Sequence, residues 1–159
     1  MLSIDIVCIG KLNQKFYSEG CAEYLKRLSA FAKVGVSELS EVKMDGEGAA
    51  AERRVIEAES KKILDYVGRK RTVMVVMCIE GRQVSSVEFS QFFEKTAMMS
   101  SDITFVIGGS LGLSEELKSK AALKMSMSEM TFPHQLARLM LLEQIYRACT
   151  INANIKYHK

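Results

Sequence analysis

Two side chains able to move a proton or hold a phosphate, His134 and Arg138, stand four residues apart late in the chain. Residues at that spacing share one face of a helix, so the pair would act together at the start of the last helical segment. An imidazole exchanges its proton near neutral pH and can bind a ligand, and a guanidinium offers a planar fork that matches phosphate oxygens. The same spacing also permits a structural reading, with His134 capping its own helix end and Arg138 paired with Glu80 or Glu129. A second set closes the chain, where Asn154, Ile155, Lys156, Tyr157, His158 and Lys159 combine two bases, an aromatic ring and an imidazole. An aromatic among bases can stack on a nucleobase while its neighbours hold phosphates, although chain ends are commonly frayed. Glu143 and Arg147, again four apart, read as a surface or intersubunit ion pair.

A third set is the turn Gly108, Gly109, Ser110, Leu111, Gly112 and Leu113, where glycines let a ligand come close to the backbone. It fits neither G-x-G-x-x-G nor the P-loop pattern, and alone it reads equally well as a tight strand-to-helix turn. The cysteines Cys8, Cys21, Cys78 and Cys149 form no Cys-x-x-Cys pair and have no histidine at ligand spacing, so no metal site is expected. Cys8 and Cys78 fall in apolar runs and read as buried reduced thiols. The formal charge is +3, and residues 134–159 hold four basic residues against one acidic residue, so the whole excess lies there. That asymmetry points to a phosphate-bearing partner, the plainer reading being a solvated tail. The longest uninterrupted apolar run, residues 73–79, is too short to span a bilayer. The first residues lack a basic region followed by an apolar core, and a cytoplasmic protein without a membrane segment is expected.

The elements that must position these residues alternate along the chain. Residues 2–9 form an apolar strand ending at Gly10, and residues 14–32 carry apolar positions at spacings of three and four, as a helix does. A short strand over 34–39 leads into a polar, glycine-bearing loop over 40–48, expected to be the most mobile in the chain. A helix over 49–67 ends at Gly68. The unbroken apolar run 72–79 suits a strand covered on both faces, with a turn at Glu80, Gly81 and Arg82. Ser85 with Glu88 gives a capping-box pattern for a helix to about Met98. A strand over 102–107 delivers the glycine turn, Ser114 starts a short helix, and 124–128 is a last strand. Pro133, the only proline, opens a helix that is apolar nearly all round, and its first-turn amides face the preceding loop. Such a helix is buried on more than one side, which favours a homodimer over a central helix within a monomer. Alternating strands and helices in one domain, residues 1–159, predict an α/β fold with a mainly parallel sheet covered on both faces. Ligand sites in such sheets lie at the carboxyl ends of the strands.

Taken together, several motifs resemble the ribosomal RNA large subunit methyltransferase H family of the SPOUT superfamily. They are Ile6 to Leu12 at the start, Phe105 to Ser110 with Gly112 and Leu113, Met130 to Gln135, Glu143 to Ala148, and the terminal Tyr157, His158 and Lys159. The resemblance spans the whole length. It implies a C-terminal deep trefoil knot and S-adenosylmethionine as methyl donor. The implied acceptor is N3 of the pseudouridine at position 1915, in helix 69 of 23S rRNA. It further implies a homodimer in which the tail of one subunit completes the other's site. By matching position, Met77, Gly108, Met127, Ser128, Glu129, Met130, Thr131 and Phe132 would bind the cofactor. The candidates for orienting RNA or assisting proton removal are His134, Arg138, Tyr157 and His158. Leu111 and Glu129 depart from the family's usual residues in these loops. The competing readings are a non-catalytic ribosome-associated RNA-binding dimer and a SPOUT methyltransferase acting on tRNA.

Overall fold

Five strands and five helices alternate in the computed structural model, which describes residues 1–159. Their order is β1 (Ser3–Ile9), α1 (Lys15–Leu28), β2 (Lys33–Leu39), α2 (Ala49–Val67), β3 (Val73–Gln83), α3 (Ser86–Ala97), β4 (Asp102–Ile107), α4 (Glu115–Ser119), β5 (Leu123–Ser126) and α5 (His134–Asn152). The sheet runs β2-β1-β4-β3-β5 and every pairing is parallel, so the expected mainly parallel sheet is wholly so.

Side chains alternate across a strand, and the central strands use both faces. Ile4, Ile6 and Cys8 of β1 join Ile103, Phe105 and Ile107 of β4 in a core of 17 buried residues beneath α1, α3 and α5. Val7 and Ile9 of β1 and Val106 of β4 point the other way, into a core of nine beneath α2 and α4. Both faces are thus covered, which is why these runs are apolar without a break. The capping box forms as its spacing predicts, with Ser85 Oγ accepting from Glu88 N (3.1 Å) and Glu88 Oε2 from Ser85 N (2.8 Å).

Three boundaries differ from the sequence reading. The α1 helix stops at Leu28, short of Ala32. The β5 strand ends at Ser126, and residues 127–132 are an irregular loop. Most consequentially, β3 does not turn out at Glu80 but runs to Gln83. Its register against β5 slips there, since Met77 and Arg82 both pair with Met125. Gly81 makes this slip sterically feasible, because a Cβ on it would lie 2.6 Å from the carbonyl carbon of Met125. What reads as a turn is the point where two backbones pass.

Pro133 caps α5 from just outside the helix, in an extended conformation (ψ 140°), so the helix itself begins at His134. No residue of α5 is exposed. Leu141, Leu142, Ile145 and Ala148 are in the large core, packed beside α1 and α3, while Leu136, Leu139 and Met140 remain half-buried.

Candidate functional site

The carboxyl ends of β3, β4 and β5 enclose a cleft of about 780 Å³. Three segments line it: Met77 to Glu80, Ile107 to Leu113, and Met125 to His134 without Glu129. Its size suits a ligand of drug or cofactor dimensions.

The glycine turn forms the first wall. Gly109 and Gly112 pair across it, Gly112 N donating to Gly109 O (3.1 Å), and Gly112 takes φ +89°, the left-handed region that glycine tolerates. Gly108 and Gly109 give clearance to the protein itself. A Cβ on Gly108 would lie 2.8 Å from Leu113 Cγ, and one on Gly109 2.9 Å from Glu59 Oε1. Beyond the turn, Ser114 Oγ accepts from Leu117 N (3.2 Å) and starts α4. One turn on, Lys118 enters the cleft and pairs with Glu80 and with Glu115 (3.4 Å). Burial pulls the Lys118 amine down, but its bonds to these two carboxylates more than reverse the effect and hold it above its ordinary range. The Lys118 bond likewise holds the Glu80 carboxyl below its ordinary range.

The opposite wall is the loop after β5. Ser126 Oγ donates to Ser128 O (2.9 Å) and Ser128 Oγ accepts from Met130 N (3.0 Å), two local bonds that fix the loop's course. Met127, Ser128, Met130, Thr131 and Phe132 then face the cleft, as do Met77 and Gly108. Glu129 alone among the expected cofactor residues is off the lining, exposed to solvent beside Met130 and Thr131. Pro133 supplies no side-chain cap, so the first-turn amides of α5 lack a side-chain partner beside this wall.

Of the four residues expected to orient RNA or assist proton removal, the fold brings only His134 to the cleft. Arg138 lies on the far side of α5's first turn, 3% exposed. It donates to Glu38 Oε2 (2.8 Å) and to Gly10 O (3.2 Å), so its carboxylate partner is neither Glu80 nor Glu129. Its Nε is buried without a partner. Tyr157 and His158 are also away from the cleft. The Tyr157 hydroxyl donates to Glu143 Oε1 (3.1 Å), the oxygen that Arg147 also binds through Nη2 (2.6 Å). The Arg147 guanidinium covers the Tyr157 ring at 4.7 Å, and its Nη1 lies 3.4 Å from His158 Nδ1. Burial, then Tyr24 and Glu143, pushes the Tyr157 phenol up. The tail is therefore anchored on its own helix, against the expectation of fraying. These pairs also neutralise Arg138 and Arg147 internally, leaving Lys156 and Lys159 as the exposed bases of the C-terminal excess.

Of the two cysteines read as buried, Cys8 is, while Cys78 is half-buried at the cleft wall. No cluster of three metal-ligating side chains exists, and no helix is long and apolar enough to cross a membrane. The sequence reading missed Ile107, Lys118, Met125, Ser126 and Ala137 as cleft residues. Only Lys118 carried a signal, being one turn beyond the Ser114 cap.

A wholly parallel α/β sheet with an apolar, glycine-walled cleft outside its carboxyl edge defines a ligand-binding α/β protein, the class in which such crevices take cofactors. Comparison with known proteins makes this specific. The chain belongs to the SPOUT methyltransferase family, whose sequence model, described as "Predicted SPOUT methyltransferase", matches residues 2–158. It is a methyltransferase and takes a methyl donor. It is 48% identical over 160 aligned positions to a protein of Leuconostoc mesenteroides named ribosomal RNA large subunit methyltransferase H. The alignment covers 99% of this chain and all of that one. A protein of the same name from Streptococcus uberis is 44% identical with the same coverage. Among solved structures, a probable methylase family protein from Haemophilus influenzae superposes with a TM-score of 0.57 at 15% identity, over 98% of this chain and 70% of that one. That likeness bears on the fold alone.

Proposed function

We propose that this methyltransferase transfers the methyl group of S-adenosylmethionine to N3 of a pseudouridine in helix 69 of 23S rRNA, acting in the cytoplasm as a homodimer. The observation that carries the reading is the cleft, whose apolar and glycine walls lie where the resemblance places the donor. Full-length relatives named ribosomal RNA large subunit methyltransferase H support large-subunit rRNA as the acceptor, and the resemblance adds N3 and helix 69.

The lining fits the donor's chemistry. Met77, Met127, Met130 and Phe132 offer polarizable and apolar surface for an adenine ring and the methionine chain. The uncapped first turn of α5 offers amide donors and a positive dipole end for a carboxylate. When bound, S-adenosylmethionine supplies a methyl group on a positively charged sulfur. Methylation of N3 would require its proton to be taken by a base. His134 is the base the chain itself places at the cleft. Arg138 serves by fixing the helix that carries His134, since its own guanidinium is buried. The tail with Tyr157 and His158, distant from its own cleft, contributes to the site of the second subunit and orients the RNA there. Half-buried Leu136, Leu139 and Met140 on α5 favour such a subunit contact. The trefoil knot belongs to the same reading, and the close approach of Gly81 to the backbone of Met125 is in keeping with it.

The test is transfer of a labelled methyl group to 70S ribosomes, free 23S rRNA and tRNA, all from a strain lacking the protein, with the modified nucleoside mapped by mass spectrometry. A single 3-methylpseudouridine in helix 69 is expected, with the rate lowered by about 10²-fold in His134→Ala. Label in tRNA instead would move the activity to another acceptor, and RNA binding without transfer would leave a non-catalytic dimer.

A further inference from the structure

The α2 helix buries one stripe at four-residue spacing: Ala51, Val55, Glu59, Ile63 and Val67. Four members are apolar, as a core-facing stripe requires. The middle one is a glutamate, only 3% exposed. A buried carboxylate is costly unless its geometry is used, and an apolar residue would pack there at less cost.

Its two oxygens meet two different segments. Oε2 accepts from Val42 N (3.0 Å), in the loop after β2. Oε1 faces the open side of Gly109, where an added Cβ would come within 2.9 Å, and so lies beside the turn that walls the cleft. Next to it, Ser60 Oγ, also buried, accepts from Ser114 N (2.9 Å) at the end of the same turn. The loop is held at two further points on α2, by Lys62 on Ser40 O (2.9 Å) and by Arg54 on Asp45 O (3.1 Å). Glu59 thus bonds the loop through one oxygen and faces the glycine turn with the other.

We infer that Glu59 is a positioning residue for the methyl-donor site: it braces the Gly109 turn against the loop at 40–48, so that donor affinity depends on that loop's place. This rests on the cleft being the donor site. Glu59 does not line the cleft and acts through Gly109. A side chain that holds a contact residue in place governs affinity without touching the ligand.

The experiment is calorimetric binding of S-adenosylhomocysteine to the full chain, with thermal unfolding recorded in parallel. Glu59→Ala removes both contacts, and its affinity should fall by about tenfold, the equivalent of one hydrogen-bond-sized loss. Glu59→Gln keeps a carbonyl for Val42 N and should restore affinity to within about threefold of wild type. Gly109→Ala leaves Glu59 in place and displaces the turn from the other side, so it should weaken binding too and serves if Glu59→Ala does not fold. Wild-type affinity in Glu59→Ala, with only the melting temperature lowered, would overturn the inference and make Glu59 a core residue alone. Wild-type affinity in Gly109→Ala would overturn it as well. Failure of the wild-type protein to bind S-adenosylhomocysteine would instead overturn the assignment of the donor.

Discussion

The carboxyl edge of the sheet is finished in two opposite ways. Beyond β1 and β2 it is closed by the chain's own polar groups. Arg138 joins Glu38 and Gly10 O, Asn13 and Gln135 exchange two hydrogen bonds (3.0 and 2.9 Å), and the Glu41 side chain occupies the space over Gly10. Beyond β3, β4 and β5 the edge stays open, and four methionines, three glycines and Phe132 line it beside aliphatic and small polar residues. The first turn of α5 divides the two, with Gln135 and Arg138 on the closed side and His134 and Ala137 on the open one. The same strand ends therefore hold a ligand only where the chain leaves them unbonded, and the closed half exists to aim the helix that serves the open half.

The contrast is sharpest at two thiols. Burial pushes the Cys8 thiol, on the closed side, up to about 12. Its thiolate fraction at pH 8 is then roughly a thousandfold below that of an ordinary cysteine. Cys78 is also pushed up, by burial and then by Glu80, but it borders the cleft. Alkylation followed by peptide mass spectrometry should modify Cys78 well before Cys8, and S-adenosylhomocysteine should slow the Cys78 reaction. Equal rates at the two would mean that the closed side opens freely. The next largest effect is expected from Arg138→Ala, which strands the Glu38 carboxylate and the Gly10 carbonyl. It should cost about 2–3 kcal/mol in denaturant unfolding, Glu38 being partly solvated, with Arg138→Lys recovering part of the loss. An unchanged midpoint would deny the closed half its bracing role. Smallest, Gln135→Ala removes an exposed pair of hydrogen bonds and should cost about 1 kcal/mol in the same assay.

Local chemistry made much of this legible from the sequence. The Ser85 and Glu88 box, the apolar β1 and β4 runs and the start of α5 beside Pro133 each follow from neighbours within a turn or a strand. What was not legible depended on distant partners. Glu80, Gly81 and Arg82 have the composition of a turn, and only the passage of Met125 keeps them in β3. Arg138 shares a helix face with His134 by spacing, yet its carboxylate is a hundred residues away in β2, and that partner draws it off the cleft. Glu59 gave a signal that went unread, an acid inside an apolar stripe. The cofactor loop rests on the resemblance; its residues line the cleft except Glu129, which the short Ser128 turn leaves outside.

The sheet separates two cores of unequal size, and the cleft does not straddle them evenly. The helix carrying His134 is seated on the larger core, whereas Leu113 and Leu117, which follow the glycine turn, are in the smaller. Less apolar area is lost when the smaller layer opens, so its local unfolding costs less than that of the whole domain. The α2–α4 layer that backs the glycine turn is therefore expected to exchange its amide hydrogens sooner than the core-seated helix that carries His134.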